Sequence, residues 1–236
     1  SHTFINATGS PIVLTVTLTA TDDLGTTNTA TRQITVNSLP IPVVTITSPT
    51  PIGTVGSPYV VQIGTTVSLE GTASSPGGQT ITQGQWDPGD GSSYPVIPGA
   101  GPFTQSHTYN SAGTWTAVLS GTYNPTGTAS TVIRVNAVPV ASFTGPTEIS
   151  QGANGVFTST STDDDGIASY DWTITGPSSY NQVGSGSTIT MVTTAATAIG
   201  TYTIDLEVTD ADGSTNSTSS TFDVSNNTNV TFASPG

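Results

Sequence analysis

From Leu14 to Thr19 the chain alternates without a break. Ile12, Leu14, Val16 and Leu18 fall on one side, and Thr15, Thr17 and Thr19 on the other. The same alternation returns where Tyr202, Ile204, Leu206 and Val208 interleave with Thr203, Asp205 and Glu207. A period of two puts one row of side chains on a buried sheet face and the next on a wet one, the pattern of an antiparallel sandwich. Threonine makes up about a fifth of the residues. It is β-branched and stiff at χ1, which favours strands over helices. No long segment has helical periodicity, so the chain reads as all-β.

The alternating segments are copies. Residues 1–36, 106–135 and 195–224 align, each as turn, strand, turn, strand. The turns between their strands are "TDDLG", "YNPTG" and "TDADG", which is Asp/Asn/Gly hairpin chemistry. A second set aligns as well: "PVVTITSPTPI" (42–52), "PVASFTGPTEI" (139–149) and "NVTFASPG" (229–236), each reading as the first strand of a domain. The expected organisation is a half-domain at 1–37, a linker at 38–41, complete domains at 42–137 and 138–225, and a linker with a further first strand at 226–236. Each complete domain is near the ~100 residues of a seven-stranded sandwich. A half-domain that short cannot bury a core by itself. Its missing strands are expected from a longer array, with donation by a neighbouring molecule as the alternative.

Composition excludes several classes. The formal charge is -13, with Arg32 and Arg134 the only arginines and no lysine. A phosphate-binding surface cannot be built from that, which argues against nucleic acid. An anionic membrane would repel this surface, and no apolar run approaches the ~20 residues of a membrane span. The absence of cysteine excludes a disulfide scaffold, thiol catalysis and a Cys-type zinc site.

The stretch "QWDPGDGSS" (85–93) poses a choice between chemistry and a structural corner. Trp86 fits a core-facing strand position. Asp87 and Asp90 can accept backbone N–H groups of a tight corner, where Gly89 and Gly91 allow positive φ. "WDPGDG" followed by "SHTYNSAGTWTAVL" (106–119) resembles the polycystic-kidney-disease (PKD) repeat family, whose motif pairs W-D-F-G-D-G with a later H-x-Y. Pro88 stands where the family carries an aromatic, and the last domain keeps Trp172 but lacks Gly-Asp-Gly. The resemblance implies tandem immunoglobulin-like (PKD-type) β-sandwiches arranged as a rod, in an extracellular module rather than an enzyme. It also implies that His107 is a packed, hydrogen-bonded histidine ahead of a core aromatic, Tyr109. His2 and Phe4 occupy the same repeat positions, so the two histidines lie in different domains and no triad is expected.

Calcium is the metal the acidic turns suit, because it takes carboxylate and carbonyl oxygens. Asp163, Asp165, Asp171, Asp210 and Asp212 converge if the loop before the Trp172 strand and the last hairpin share a pole; Asp164 belongs to the same run. Asp22 and Asp23 form a weaker set. Glycosylation sequons begin at Asn6, Asn216, Asn226 and Asn229.

The expected role is structural: a semi-rigid spacer and assembly segment of a secreted or cell-surface protein, such as an S-layer subunit, an extracellular filament or an adhesin stalk. Its partners are then copies of itself or neighbouring surface proteins, and glycans. Pro-containing linkers such as "SLPIP" and "AVP" are stiff. The alternatives are a carbohydrate- or protein-binding accessory module of a large secreted hydrolase, and strand donation by "NVTFASPG". Tyr94, Phe103 and Tyr180 are the aromatics expected to be available for sugar binding.

Overall fold

The structure is a computed structural model that describes residues 2–6 and 10–226. It divides into two units, Ser1–Val135 and Asn136–Gly236. The segment 229–236 and Asn229 lie outside the described residues.

The first unit begins with a hairpin. Strands β1 (Ile12–Thr21) and β2 (Thr27–Val36) pair antiparallel from Ile12 opposite Val36 to Thr21 opposite Thr27. Asp22 makes the turn, its Oδ1 accepting the N–H groups of Leu24 and Thr26. The two strands form a sheet of their own. The alternation predicts a buried row, and the structure shows that row only begun. Ile12 and Leu14 are half-buried, whereas Val16 and Leu18 are 44% and 69% exposed. No second sheet lies over them among the described residues, so the apolar side of the hairpin stays open.

A complete sandwich follows, with strands β3 (Val43–Ser48), β4 (Tyr59–Gln62), β5 (Thr66–Ser74), β6 (Gln83–Asp87), β7 (Ile97–Pro98), β8 (Phe103–Thr108), β9 (Gly113–Thr122) and β10 (Thr126–Asn136). They form a three-stranded sheet, β3-β5-β8, and a five-stranded sheet, β4-β10-β9-β6-β7. The inward rows bury Leu69, Trp86, Phe103, Leu119 and Ile133 between the sheets.

The second unit repeats this order. Its strands are β11 (Phe143–Thr144), β12 (Glu148–Ser150), β13 (Asn154–Ser159), β14 (Ile167–Gly176), β15 (Tyr180–Ser185), β16 (Thr188–Val192), β17 (Gly200–Asp210) and β18 (Thr215–Ser225). The sheets are β11-β13-β16 and β12-β18-β17-β14-β15, the earlier orders with every strand number raised by eight. Phe157, Trp172, Met191, Tyr202 and Leu206 fill this core. The register agrees too: Trp86 lies opposite Leu119, and Trp172 opposite Leu206. The folds are therefore tandem immunoglobulin-like sandwiches, with the β1–β2 hairpin matching β9–β10 and β17–β18.

Candidate structural site: the Trp86 corner and its His107 latch

Strand β6 ends at Asp87, and the chain then turns twice within five residues. Asp87 Oδ1 accepts the N–H of Gly89 at 2.9 Å, and Asp90 Oδ1 accepts that of Ser92 at 3.0 Å. Gly89 and Gly91 both have positive φ, +87° and +89°. At Gly89 the turn also passes so close to β9 that a Cβ would lie 2.4 Å from the Thr116 carbonyl oxygen. At Gly91 a Cβ would meet open space.

Three groups lock this corner to the opposite sheet. Trp86 is buried and its Nε1–H donates to the Phe103 carbonyl at 3.1 Å. Tyr109 is buried and its hydroxyl donates to the Pro88 carbonyl at 3.0 Å. His107, 5% exposed, donates from Nε2 to Asp90 Oδ2 at 2.8 Å. Its Nδ1 lies 2.8 Å from the hydroxyl of Tyr94, which also donates to the Ser106 carbonyl at 3.1 Å. The Tyr109 ring packs edge-on against the imidazole, with centroids 4.3 Å apart.

The electrostatics follow from these contacts. Burial works against the Asp90 carboxylate, but hydrogen bonds from the Ser92 backbone and hydroxyl and from His107 outweigh it and hold Asp90 below the ordinary carboxylate range. Burial pushes the Tyr109 hydroxyl well above its usual value, with Asp90, Tyr94 and Asp87 adding to the effect. The corner has an acid, an imidazole and a phenol in line, yet both ring nitrogens are engaged and the ring is enclosed. A general base must reach a substrate proton, and this imidazole faces only its own fold.

Several sequence expectations need correction. Phe103 is not an available aromatic: it is fully buried beneath Trp86. Tyr94 belongs to the latch, and Tyr180 is half-buried with its ring 5.3 Å from that of Tyr202. His2 does not repeat the role of His107. It is exposed and meets Phe4, itself 39% exposed, edge to face, because no opposing sheet covers the hairpin. Asn6 is buried, and its Nδ2 donates to the carbonyls of Ser10 and Val36, so in the folded chain this nitrogen is not presented for a glycan. Asn216 Nδ2 likewise donates to the Pro139 carbonyl, while Asn226 is exposed.

The acidic residues separate into two places. Carboxylate oxygens of Asp163, Asp164 and Asp165 gather within 4.8 Å of one another. Asp210 is buried at the start of the last turn, where it accepts the Ser214 N–H at 2.7 Å and the Asn136 amide at 2.8 Å. Asp212 is exposed on that turn. Asp171 is not at this pole. It lies opposite Glu207 on the outer face of β14 and lines an open hollow of about 540 Å³ with Asp205 and Glu207. Strand geometry separates it, because its sheet neighbour is three residues back from Asp210. Sequence reasoning missed Asn136, although "VNSLP" and "VNAVP" place an asparagine at both linkers.

No curated protein matches the chain. The crystal structure of the PKD1 domain of Vibrio anguillarum Epp is 33% identical over 38% of this chain and 96% of its own, with a TM-score of 0.31. The three N-terminal domains of the bacteriophage RB49 highly immunogenic outer capsid protein (Hoc) align at 13% identity over 94% of this chain and 95% of theirs, with a TM-score of 0.46. A tetra-tandem repeat from the extending region of a large adhesion protein aligns at 14% identity over 91% of this chain and 57% of its own, with a TM-score of 0.39. The family described as PKD domain matches residues 48–135, the segment that holds Trp86, the Gly-Asp-Gly turn and the His107 latch. The chain therefore belongs to the PKD-domain family.

Proposed function

We propose that this chain is a non-catalytic spacer and assembly segment of a secreted or cell-surface protein, of the S-layer, filament or adhesin-stalk kind. The observation that carries this reading is the repetition: one eight-strand topology occurs twice, and its closing hairpin a third time. Arrays of this kind add stability domain by domain, and their product is length. The polar side chains of the Trp86 corner are spent on one another, which supports a structural role for the motif. With Phe103 buried and Tyr94 tied to His107, no aromatic platform for sugars is built from the three candidates. The partners in this reading are neighbouring surface proteins or copies of the chain. Among the described residues no helix is long and apolar enough to cross a membrane.

Small-angle scattering on the purified chain tests this. A spacer gives a pair-distance distribution with a long tail, whose maximum dimension exceeds that of a sphere of the same mass by at least about twofold. A compact, symmetric distribution overturns the proposal, as does hydrolysis of a polysaccharide or peptide substrate by the pure chain.

A further inference from the structure

Strand β18 has an uncovered edge. Its register with β17 runs unbroken from Thr215 opposite Thr209 to Val224 opposite Gly200. On its other side β12 pairs with Asp223 to Ser225 alone. Among the described residues no strand pairs with that side of Thr215 to Phe222. The Asp223 N–H points to this side, where it donates to the Thr147 carbonyl. With a period of two, the backbone groups of Ser217, Ser219 and Thr221 point the same way. The Ser217 N–H donates to the Asn216 side-chain oxygen; Ser219 and Thr221 are exposed. Natural sheets shield such edges with charge, proline or a bulge, and "TNSTSSTF" (215–222) carries none of these.

The first sandwich fills the same place with its own chain. Ser220 lies opposite Ile204, and the matching pair is Thr131 opposite Ala117. Thr131 is wholly buried: the Gly53 N–H donates to its hydroxyl at 3.0 Å, and the Val132 N–H donates to the Gly53 carbonyl at 3.0 Å. Gly53 belongs to the long connection 49–58 between β3 and β4, whereas β11 and β12 are joined by 145–147 alone. Ser220 is therefore exposed although it shares a face with buried Phe222 and Val224. A hollow of about 340 Å³ opens beside it, lined by Phe143, Pro146, Phe157 and Ile204. On the outer face Ser217 and Ser219 border the hollow of Asp171, Asp205 and Glu207.

We propose that the Ser217 to Thr221 edge of β18 takes up an extended segment of another protein as an added strand, with lysine or arginine on its outward face and apolar side chains on its inward face. Main-chain bonds to Ser219 and Thr221 supply affinity, and the alternate side chains supply specificity. The inward side chains enter the apolar hollow. The outward ones pass over the small Ser217 and Ser219 to the carboxylates of Asp205 and Glu207, which face the same way in register. A second copy does not fit, because the chain has no lysine and a formal charge of -13.

The test titrates the fluorescein-labelled peptide TKVKVKVT into the whole chain at low salt and follows anisotropy. Saturable binding is expected, with hydrogen exchange slowed at the Ser219 and Thr221 amides. The acidic peptide TEVEVEVT binds at least about tenfold more weakly. S219P removes an outward donor that β17 does not use, and weakens binding about tenfold or more. D205N/E207Q weakens it about fivefold. Absence of saturable binding overturns the proposal, as does equal affinity for the acidic peptide. Slowed exchange elsewhere but not at Ser219 or Thr221, which indicates diffuse charge attraction, overturns it too. If S219P does not fold, D205N/E207Q decides: unchanged affinity in that variant overturns the proposal. A rod-shaped chain that captures no peptide removes this inference and leaves the spacer reading standing.

Discussion

His107 and Asp90 meet at 2.8 Å in the first sandwich, and the second sandwich lacks both partners. His107 pairs with Val67 across β5 and β8; in the matching register Met191 pairs with Gly155 across β13 and β16. Met191 is fully buried, and the strand after Trp172 runs on to Gly176 without turning at an aspartate. Tyr109 is matched by Thr193, whose hydroxyl donates to the carbonyls of Ser150 and Ala153. One sandwich closes its corner with a charged latch, the other with an apolar plug and a hydroxyl clamp.

Removing the latch therefore weakens the first sandwich. H107L and D90N are each expected to cost about 1–3 kcal/mol, and the double variant less than their sum because the two share one bond. Urea denaturation measures this. The folded pKa of Asp90 lies below its unfolded value, so its contribution is present above about pH 4 and is lost as pH falls through the folded value. D90N flattens that acid limb.

Gly89 and Gly91 separate backbone conformation from crowding. Both have positive φ, but only Gly89 sits against β9. G91A is expected to lose about 1 kcal/mol, the cost of a left-handed conformation for an L-residue. G89A loses more, because the Thr116 carbonyl must also move. Equal melting temperatures for the two variants contradict this account.

Trp86 and Trp172 anchor separate cores. W86A and W172A are each expected to cost about 3–5 kcal/mol in their own sandwich. Hydrogen exchange read by mass spectrometry locates the damage: W86A accelerates exchange in β5, β8 and β9, and W172A in β13, β16 and β17.

The open side of the hairpin gives a contrasting case. Val16 and Leu18 are exposed, so V16T/L18T is expected to leave the unfolding midpoints within about 0.5 kcal/mol of the parent, as for other surface changes. The same variant lowers binding of a hydrophobic dye. A large loss of stability would mean that these side chains are covered in solution.

The strands were legible because alternation is local: Ile204, Leu206 and Val208 announce their buried face three residues at a time. The repeat was legible because turn chemistry and the tryptophans recur at fixed spacing. The latch was only half legible. His107 and Asp90 stand out, but Tyr94 reaches His107 from a loop, and only the folded chain brings the phenol and the imidazole within 2.8 Å. Asn136 was invisible for a related reason. Its amide matters through Asp210, far along the chain, and no local pattern reports that contact. Asp171 failed the other way, since proximity in sequence to Asp163 and Asp165 hides how far along β14 it lies, opposite Glu207 and away from the turn at Asp210.

In the second sandwich β12 runs parallel to β18, Glu148 to Ser150 beside Asp223 to Ser225, with Gln151 N–H on the Ser225 carbonyl and Asp223 N–H on that of Thr147. Parallel neighbours near the beginning and at the end of a domain have a mechanical meaning. A pull on the two ends slides these strands past each other, so the short patch resists as a set of bonds strained together and cannot be unzipped one bond at a time. Under tension, the few backbone bonds beside Ile149 and Val224 would be loaded together rather than in turn.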